Sequence, residues 1–302
     1  MSDARAIGVF DSGFGGLTVL RELRRALPAE RMVYLGDVAR LPYGPRSQDE
    51  VRLFAHEIAR FLLARHDVKA LVVACNTASA AAPELFAGAY DVPVIGVIKP
   101  GAHAAVAASR NGRIGVFATQ GTVDSGAYTR AVHALAPDAL VLAQACPLFV
   151  PMVEAGETAG PRVARAIRDY LAPLAAGGVD TLILGCTHYP LLRPAIEAVV
   201  DGRLAVVDSA HTTAAEAAAL LDYLGLYAPA EPVEPDIDAT HTLYTTGSPA
   251  DFRALATRLF GEDLGVVAGV DLAEQSKVES RQPVVVSRLR RGDPFTGYDG
   301  AV

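Results

Sequence analysis

Two of the three cysteines in this 302-residue chain close short apolar runs and are followed by small polar residues. The runs read Val72-Val73-Ala74-Cys75-Asn76-Thr77 and Ile183-Leu184-Gly185-Cys186-Thr187-His188. A thiol can serve as acid or base. With an ordinary pKa near 8.5, roughly 3% of a free thiol is ionised at neutral pH, so modest tuning can leave one sulfur charged and its partner protonated. Two thiols delivered by the same local sequence, from separate halves of a chain, suit inversion at carbon: a planar carbanion loses hydrogen on one face and gains it on the other. Removal of an amino acid's weakly acidic α-hydrogen demands such a positioned pair and the exclusion of water. The pattern implies a cofactor-independent amino-acid racemase.

Each candidate has a plainer reading. Free cysteine often packs as a small hydrophobe at a strand end, but Cys75 and Cys186 share polar sequels that packing does not require. Cys146, in Ala145-Cys146-Pro147-Leu148-Phe149, has apolar neighbours and reads as core. Thr77 and Thr187 read as capping residues of helices whose amino ends would depress a thiol pKa and present N–H groups to a carboxylate. His188, two residues past Cys186, reads as its orienting or activating partner, and Asp11 as the corresponding residue on the other side. The remaining histidines (56, 66, 103, 133, 211, 241) read as solvated surface.

Asp11-Ser12-Gly13-Phe14-Gly15-Gly16 has the glycines of a phosphate loop without its spacing or lysine. An aspartate at its mouth would repel phosphate and suits an ammonium group. Pro42-Tyr43-Gly44 reads as a turn able to bring a backbone N–H and a phenol to the site. Glu154 reads as a supporting carboxylate or an exposed surface residue.

The elements that must position these residues alternate. Apolar runs at 6–10, 32–35, 70–74, 92–97, 114–118, 139–143, 181–184 and 204–207 are separated by helix-periodic stretches such as Val19-Leu20-Leu23-Leu27. This predicts an α/β fold with mostly parallel sheets, whose strands are apolar on consecutive positions because helices cover both faces. Polar residues follow the strands at Asp11-Ser12, Gly36-Asp37, Cys75-Asn76-Thr77, Thr119, Cys186-Thr187-His188 and Asp208-Ser209. The carboxyl ends of parallel strands form the ligand crevice, so one polar site built from many strand ends is expected. A surface connection is expected at 229–238, then a strand at 242–246, a helix at 249–260, a strand near Val266 and a loosely docked tail.

Composition narrows the function. With 51% apolar and 20% charged residues the chain can bury the cores of two α/β lobes. A net charge of −7 disfavours nucleic acid or an anionic membrane as partner. No apolar stretch has the length of a membrane span or the form of a secretory signal, so the cytoplasm is the expected location. Three cysteines without a C-x-x-C pair fit a reducing compartment.

At this point the chain resembles the bacterial glutamate racemases of the aspartate/glutamate racemase family. The matching segments are Asp11 to Val19, Gly36-Asp37 with Pro42-Tyr43-Gly44, Ala74 to Ser79, Ala118-Thr119 with Thr122, Cys146-Pro147 through Glu154, and Leu184 to Leu192. The resemblance implies two pseudo-symmetric three-layer α/β lobes with the active site between them: 1–98 plus 209–271 as the first, 99–208 inserted as the second, and 272–302 as a C-terminal tail. It implies Cys75 as the base toward D-glutamate and Cys186 as the base toward L-glutamate, with Asp11, His188 and Glu154 as further catalytic residues. Asp11, Ser12, Tyr43, Gly44, Asn76, Thr77, Thr119, Thr122, Thr187 and His188 are the implied substrate contacts. It further implies no pyridoxal phosphate and no metal, D-glutamate supplied for peptidoglycan, and a homodimer. Lys99 stands where the family often has an acidic residue. An aspartate racemase of the same family, a cysteine-nucleophile hydrolase using Cys186 and His188, and a zinc site on Cys75, Cys186 and His188 are the competing readings.

Overall fold

The computed structural model describes residues 2–229, 241–261 and 263–273. The predicted alternation is observed. The first group of elements is β1 (Ile7–Asp11), α1 (Leu17–Ala26), β2 (Met32–Gly36), α2 (Gln48–His66), β3 (Ala70–Val73), α3 (Asn76–Ala81) and β4 (Val94–Gly96). Then come α4 (Ile98–Ala108), β5 (Arg113–Ala118), α5 (Gln120–Ser125), α6 (Ala127–His133), β6 (Leu140–Ala145), α7 (Phe149–Glu154), α8 (Pro161–Ala176), β7 (Thr181–Gly185), α9 (Arg193–Val200) and β8 (Ala205–Asp208). The chain returns through α10 (Ser209–Leu224) to β9 (His241–Thr245), α11 (Pro249–Phe260) and β10 (Val267–Gly269).

The strands form two sheets, ordered β10-β9-β2-β1-β3-β4 and β6-β5-β7-β8. Among the described residues every pairing is parallel. Residues of β1, β2, β3 and β7 are buried at every position. That explains their unbroken apolar runs, because helices cover both faces. Four core clusters result, one on each face of each sheet. In the first sheet α1, α10 and α11 pack on one side and α2 and α3 on the other. In the second, α7, α8 and α9 cover one face and α4 and α6 the other.

The segments β2-β1-β3-β4 and β6-β5-β7-β8 wind identically, each starting at its central strand, stepping to one side and then crossing to the other. Their order reverses beside β1 and beside β5, which is where the carboxyl ends of a parallel sheet open a crevice. Cys75 follows the third strand of the first set and Cys186 the third strand of the second. By the same equivalence Asp11 ends β1 and Thr119 follows β5.

Local sequence explains the helix starts. Ser47 and Glu50 form a reciprocal capping box at α2, and Ser248 accepts the Asp251 N–H at α11. Two expectations need correction. Thr77 lies within α3 rather than capping it; Cys75, in extended backbone, is the capping residue and its sulfur accepts the Ala78 N–H at 3.4 Å. After Cys186 there is a 3-10 turn, Tyr189–Leu192, before α9, and no side chain caps it.

Of the six histidines read as solvated, 103, 133 and 211 are exposed, but His56, His66 and His241 are half-buried. His56 lies 2.9 Å from both the Tyr90 hydroxyl and Glu84 Oε1, and His66 packs on Phe61 and Tyr244. Aromatic neighbours brought in by tertiary packing cover His56 and His66, and His241 lies in β9 beside β2. The connection at 229–238 and the tail at 272–302 lie outside the described residues beyond Pro229, Leu272 and Ala273; Leu272 is buried in the core on the α2 side. Among the described residues no helix is long and apolar enough to cross a membrane.

Candidate active site

The site grows from the strand ends. Asp11, fully buried, accepts the N–H groups of Gly13 and Gly16 through Oδ2 at 3.1 and 2.9 Å. The carboxylate thereby curls the glycine loop back over the end of β1 and caps α1, which begins one residue after Gly16. Tyr34 fixes the same loop by donating to the Gly13 carbonyl at 2.7 Å. The glycines have steric reasons to be there. A Cβ on Gly16 would lie 2.4 Å from Asp11 Cβ, and one on Gly15 would lie 2.3 Å from Thr187 Oγ1 and 2.5 Å from His188 Nδ1. The loop from β1 therefore presses directly on the Cys186 turn.

Cys75 is 4% exposed and its sulfur lies 3.6 Å from the Ser12 hydroxyl. Burial and the neighbouring Asp11 charge push its thiol well above the ordinary range, against the opposing pull of the Ala78 N–H and Ser12. Asp11 is itself raised, by burial first, with the positive His188 and the loop N–H groups working the other way. Cys75 is accordingly held in its protonated form in the free protein.

Cys186, 7% exposed, faces His188 with 3.9 Å between Sγ and Nδ1. On the far side of the ring, Nε2 stands 3.3 Å from Glu154 Oε1. Both of those atoms are buried, and their alignment is that of an ion pair rather than a well-directed hydrogen bond. Burial alone would lower the His188 pKa. The interactions with Cys186 and Glu154 and the Asp11 charge outweigh it, and raise the imidazole to about 10. The ring is an imidazolium at neutral pH, and a cation beside sulfur stabilises the charge left when a proton departs.

The turns meet across the two sheets. Thr187 donates to Asp11 Oδ1 at 3.4 Å, and the Thr18 hydroxyl lies 2.8 Å from the Gly15 carbonyl and 3.2 Å from that of Thr187. On the opposite side Thr77, Thr119 and Thr122 form a hydroxyl chain with steps of 2.9 and 3.0 Å. Gly121 N–H donates to the Gly44 carbonyl at 2.9 Å, and Gln48 donates to the Gly121 carbonyl at 2.9 Å. Asn76 donates to the Tyr128 hydroxyl at 2.8 Å, while its Oδ1 is buried without a protein partner. Ser12, Asn76, Thr77, Thr122, Thr187 and His188 are all buried polar residues, and clustered buried polar groups mark a site more than a core.

Tyr43 is buried, and its phenol is held by Asp37, which also accepts from Arg40 at 2.6 Å and Thr246 at 2.7 Å. The phenol anchors the Tyr43-Gly44 turn and is taken up by Asp37, while the Tyr43 and Gly44 carbonyls accept from Arg46 and Gly121. Asp37 has a signal in sequence, a polar residue directly after a strand, but nothing local to it points to the Tyr43 phenol. Tyr128 had none, lying mid-helix. Cys146 packs among Phe117, Phe149 and Tyr189 as expected of core. Lys99 stands near Glu216, not among the thiols. Among the described residues no group of three or more His, Cys, Asp or Glu side chains is arranged to hold a metal ion.

This arrangement sets a protonated thiol at Cys75 and a second thiol, Cys186, beside an imidazolium, with hydroxyl and N–H donors around them. Residues 7–217 match the family model described as Asp/Glu/Hydantoin racemase. The chain belongs to that family. It is a racemase, and its relatives agree. It is 46% identical over 269 residues to a glutamate racemase of Shouchella clausii, covering 89% of this chain and 95% of that protein. A glutamate racemase isoform of Bacillus anthracis superposes with a TM-score of 0.82 at 43% identity, covering 89% of this chain and 98% of that one. The glutamate racemase of Francisella tularensis, solved in complex with D-glutamate, gives a TM-score of 0.81 at 34% identity over 90% of this chain and 99% of its own.

Proposed function

We propose that this racemase interconverts L- and D-glutamate by a two-base transfer at Cα, without cofactor. The observation that carries the mechanism is the equivalence of Cys75 and Cys186. Each follows the third strand of an identically wound set, and the turn bearing Cys186 is tied through Thr187 to Asp11, the carboxylate whose charge acts on Cys75. In this reading the Cys186 thiolate, beside the His188 cation, takes the α-hydrogen of L-glutamate while the Cys75 thiol gives its proton to the opposite face. The reverse reaction begins with the roles exchanged.

The substrate would lie between lobes 1–98 plus 209–271 and 99–208. Its contacts would come from Asp11, Ser12, Tyr43, Gly44, Asn76, Thr77, Thr119, Thr122, Thr187 and His188. Glu154 holds the charge of His188. Glutamate rather than aspartate rests on the relatives, whose names specify it at about 45% identity over most of the chain. A cytoplasmic homodimer supplying D-glutamate for peptidoglycan is the setting that the same kinship supports.

The test is optical rotation of L-glutamate and L-aspartate incubated separately with the enzyme. Rotation is expected to vanish with glutamate; loss with aspartate alone overturns the assignment. Cys75→Ser and Cys186→Ser should each nearly abolish turnover with the fold retained, because a hydroxyl is a far weaker acid than a thiol. Near-normal turnover in either variant contradicts the two-base scheme.

A further inference from the structure

Tyr128 lies on α6, far in sequence from either thiol, yet touches both of the turns that carry them. It is 3% exposed. Its hydroxyl accepts the Asn76 amide at 2.8 Å, and Asn76 is the residue after Cys75. Its ring edge covers Gly185, the residue before Cys186, so closely that a Cβ there would lie 2.9 Å from Tyr128 Cε2.

The same hydroxyl sits where the chain crosses between the sheets. Gly101 belongs to α4, the outgoing crossing, and Ser209 begins α10, the return. A Cβ on Gly101 would lie 3.2 Å from the Tyr128 hydroxyl oxygen and 3.3 Å from Ser209 Cβ, so the three meet at one point. The Ser209 side chain lies beside the phenol at that point. One buried side chain thus joins both crossings and both thiol-bearing turns.

We infer that Tyr128 is a positioning residue for the racemisation: its hydroxyl fixes the Asn76 amide, and its ring holds the Cys186 turn in register with Cys75. The inference rests on the reading of the site as a glutamate racemase. The amide spends its donor on Tyr128 and leaves Oδ1 buried with no protein partner, an arrangement that costs free energy unless another donor satisfies the oxygen. The ammonium group of an amino acid is such a donor. Without the phenol hydroxyl the amide loses its anchor and can rotate.

Tyr128→Phe removes the hydroxyl and keeps the ring over Gly185. Steady-state kinetics with each glutamate enantiomer should show KM raised roughly tenfold, the size expected for one buried hydrogen bond and its orphaned partner. The melting curve should stay cooperative. In an Asn76→Ala background the same change should add little further, because the partner is already gone. KM and kcat within about twofold of the parent, or losses that simply add in the double variant, overturn the inference. If Tyr128→Phe does not purify folded, Gly101→Ala keeps the phenol but sets a methyl group 3.2 Å from its oxygen and should raise KM about threefold; no rise overturns the inference equally. A wild-type enzyme that leaves the α-hydrogen of glutamate in place overturns the substrate reading and this inference with it. An active wild type with an unaltered Tyr128→Phe variant overturns this inference alone.

Discussion

Thr187, the residue after Cys186, donates a 3.4 Å hydrogen bond to Asp11, the carboxylate that sits against Cys75. The carboxylate beside Cys75 is therefore in contact with the turn that carries Cys186. On the two-base reading proposed above, Asp11 serves Cys75 and His188 serves Cys186. Asp11→Asn should lower kcat more from D- to L-glutamate, and His188→Asn more from L to D. Because enantiomers have equal free energies, kcat/KM must fall by the same factor in both directions, so the asymmetry is read in kcat alone. Equal kcat losses in both directions for both variants would remove the assignment of one support to each thiol.

Gly15 has no room for a methyl group. A Cβ there would collide with Thr187 Oγ1 and His188 Nδ1, so Gly15→Ala must displace the Cys186 turn or the loop that Asp11 holds. We expect kcat to fall on the order of a hundredfold, as small misplacements of reacting groups do. Secondary structure by circular dichroism should be unchanged. Activity near that of the parent would show that the loop can retreat without cost.

The pH dependence follows from His188, whose ordinary value of 6.5 is raised to about 10 in the fold. A raised histidine contributes stability that is complete below its unfolded value and disappears as pH climbs through its folded value. Glu154→Gln removes one of the groups holding the proton. The thermal stability of wild type should exceed that of the variant near pH 6, and the difference should vanish above about pH 10. The alkaline limb of kcat should also move down by on the order of one pH unit. Overlapping limbs for the two proteins would sever Glu154 from His188.

Stability depends on a second buried charge far from the thiols. Lys69 and Glu30 form an ion pair at 2.5 Å with side chains 0% and 1% exposed, and Lys69 also donates to the Asp3 carbonyl at 2.7 Å. Glu30 accepts the Ala228 N–H at 2.7 Å, so the pair fastens the amino terminus and the end of the α10 segment to the first sheet. Lys69→Met leaves a carboxylate buried without its cation and should cost about 3–5 kcal/mol in urea unfolding. Glu30→Leu added to it should recover part of that loss. A single variant within about 1 kcal/mol of the parent would mean that Glu30 finds water or neutralises without penalty.

Much of this was legible in the residues. Apolar runs ending in Asp11, Cys75, Thr119 and Cys186 announced parallel strands with polar residues at their carboxyl ends, because burial on both faces leaves a continuous signature. What escaped was set by contacts distant in sequence. No local pattern says that the Tyr43 phenol is taken by Asp37, that Cys75 rather than Thr77 caps α3, or that His66 lies under Tyr244. Tyr128 was invisible for the same reason: its importance arises from Asn76, Gly101, Gly185 and Ser209, which the chain brings together only once both sheets are wound.

The central claim, two thiols on opposite faces of one carbon, is tested most directly by running the reaction from L-glutamate in deuterium oxide. The α-position of product and residual substrate is followed at early times by proton resonance and mass. The account predicts D-glutamate carrying deuterium, delivered from Cys75, while the L-glutamate still present keeps its original hydrogen. Product that retains the substrate's own hydrogen, or deuterium entering both pools at the same rate, would contradict it.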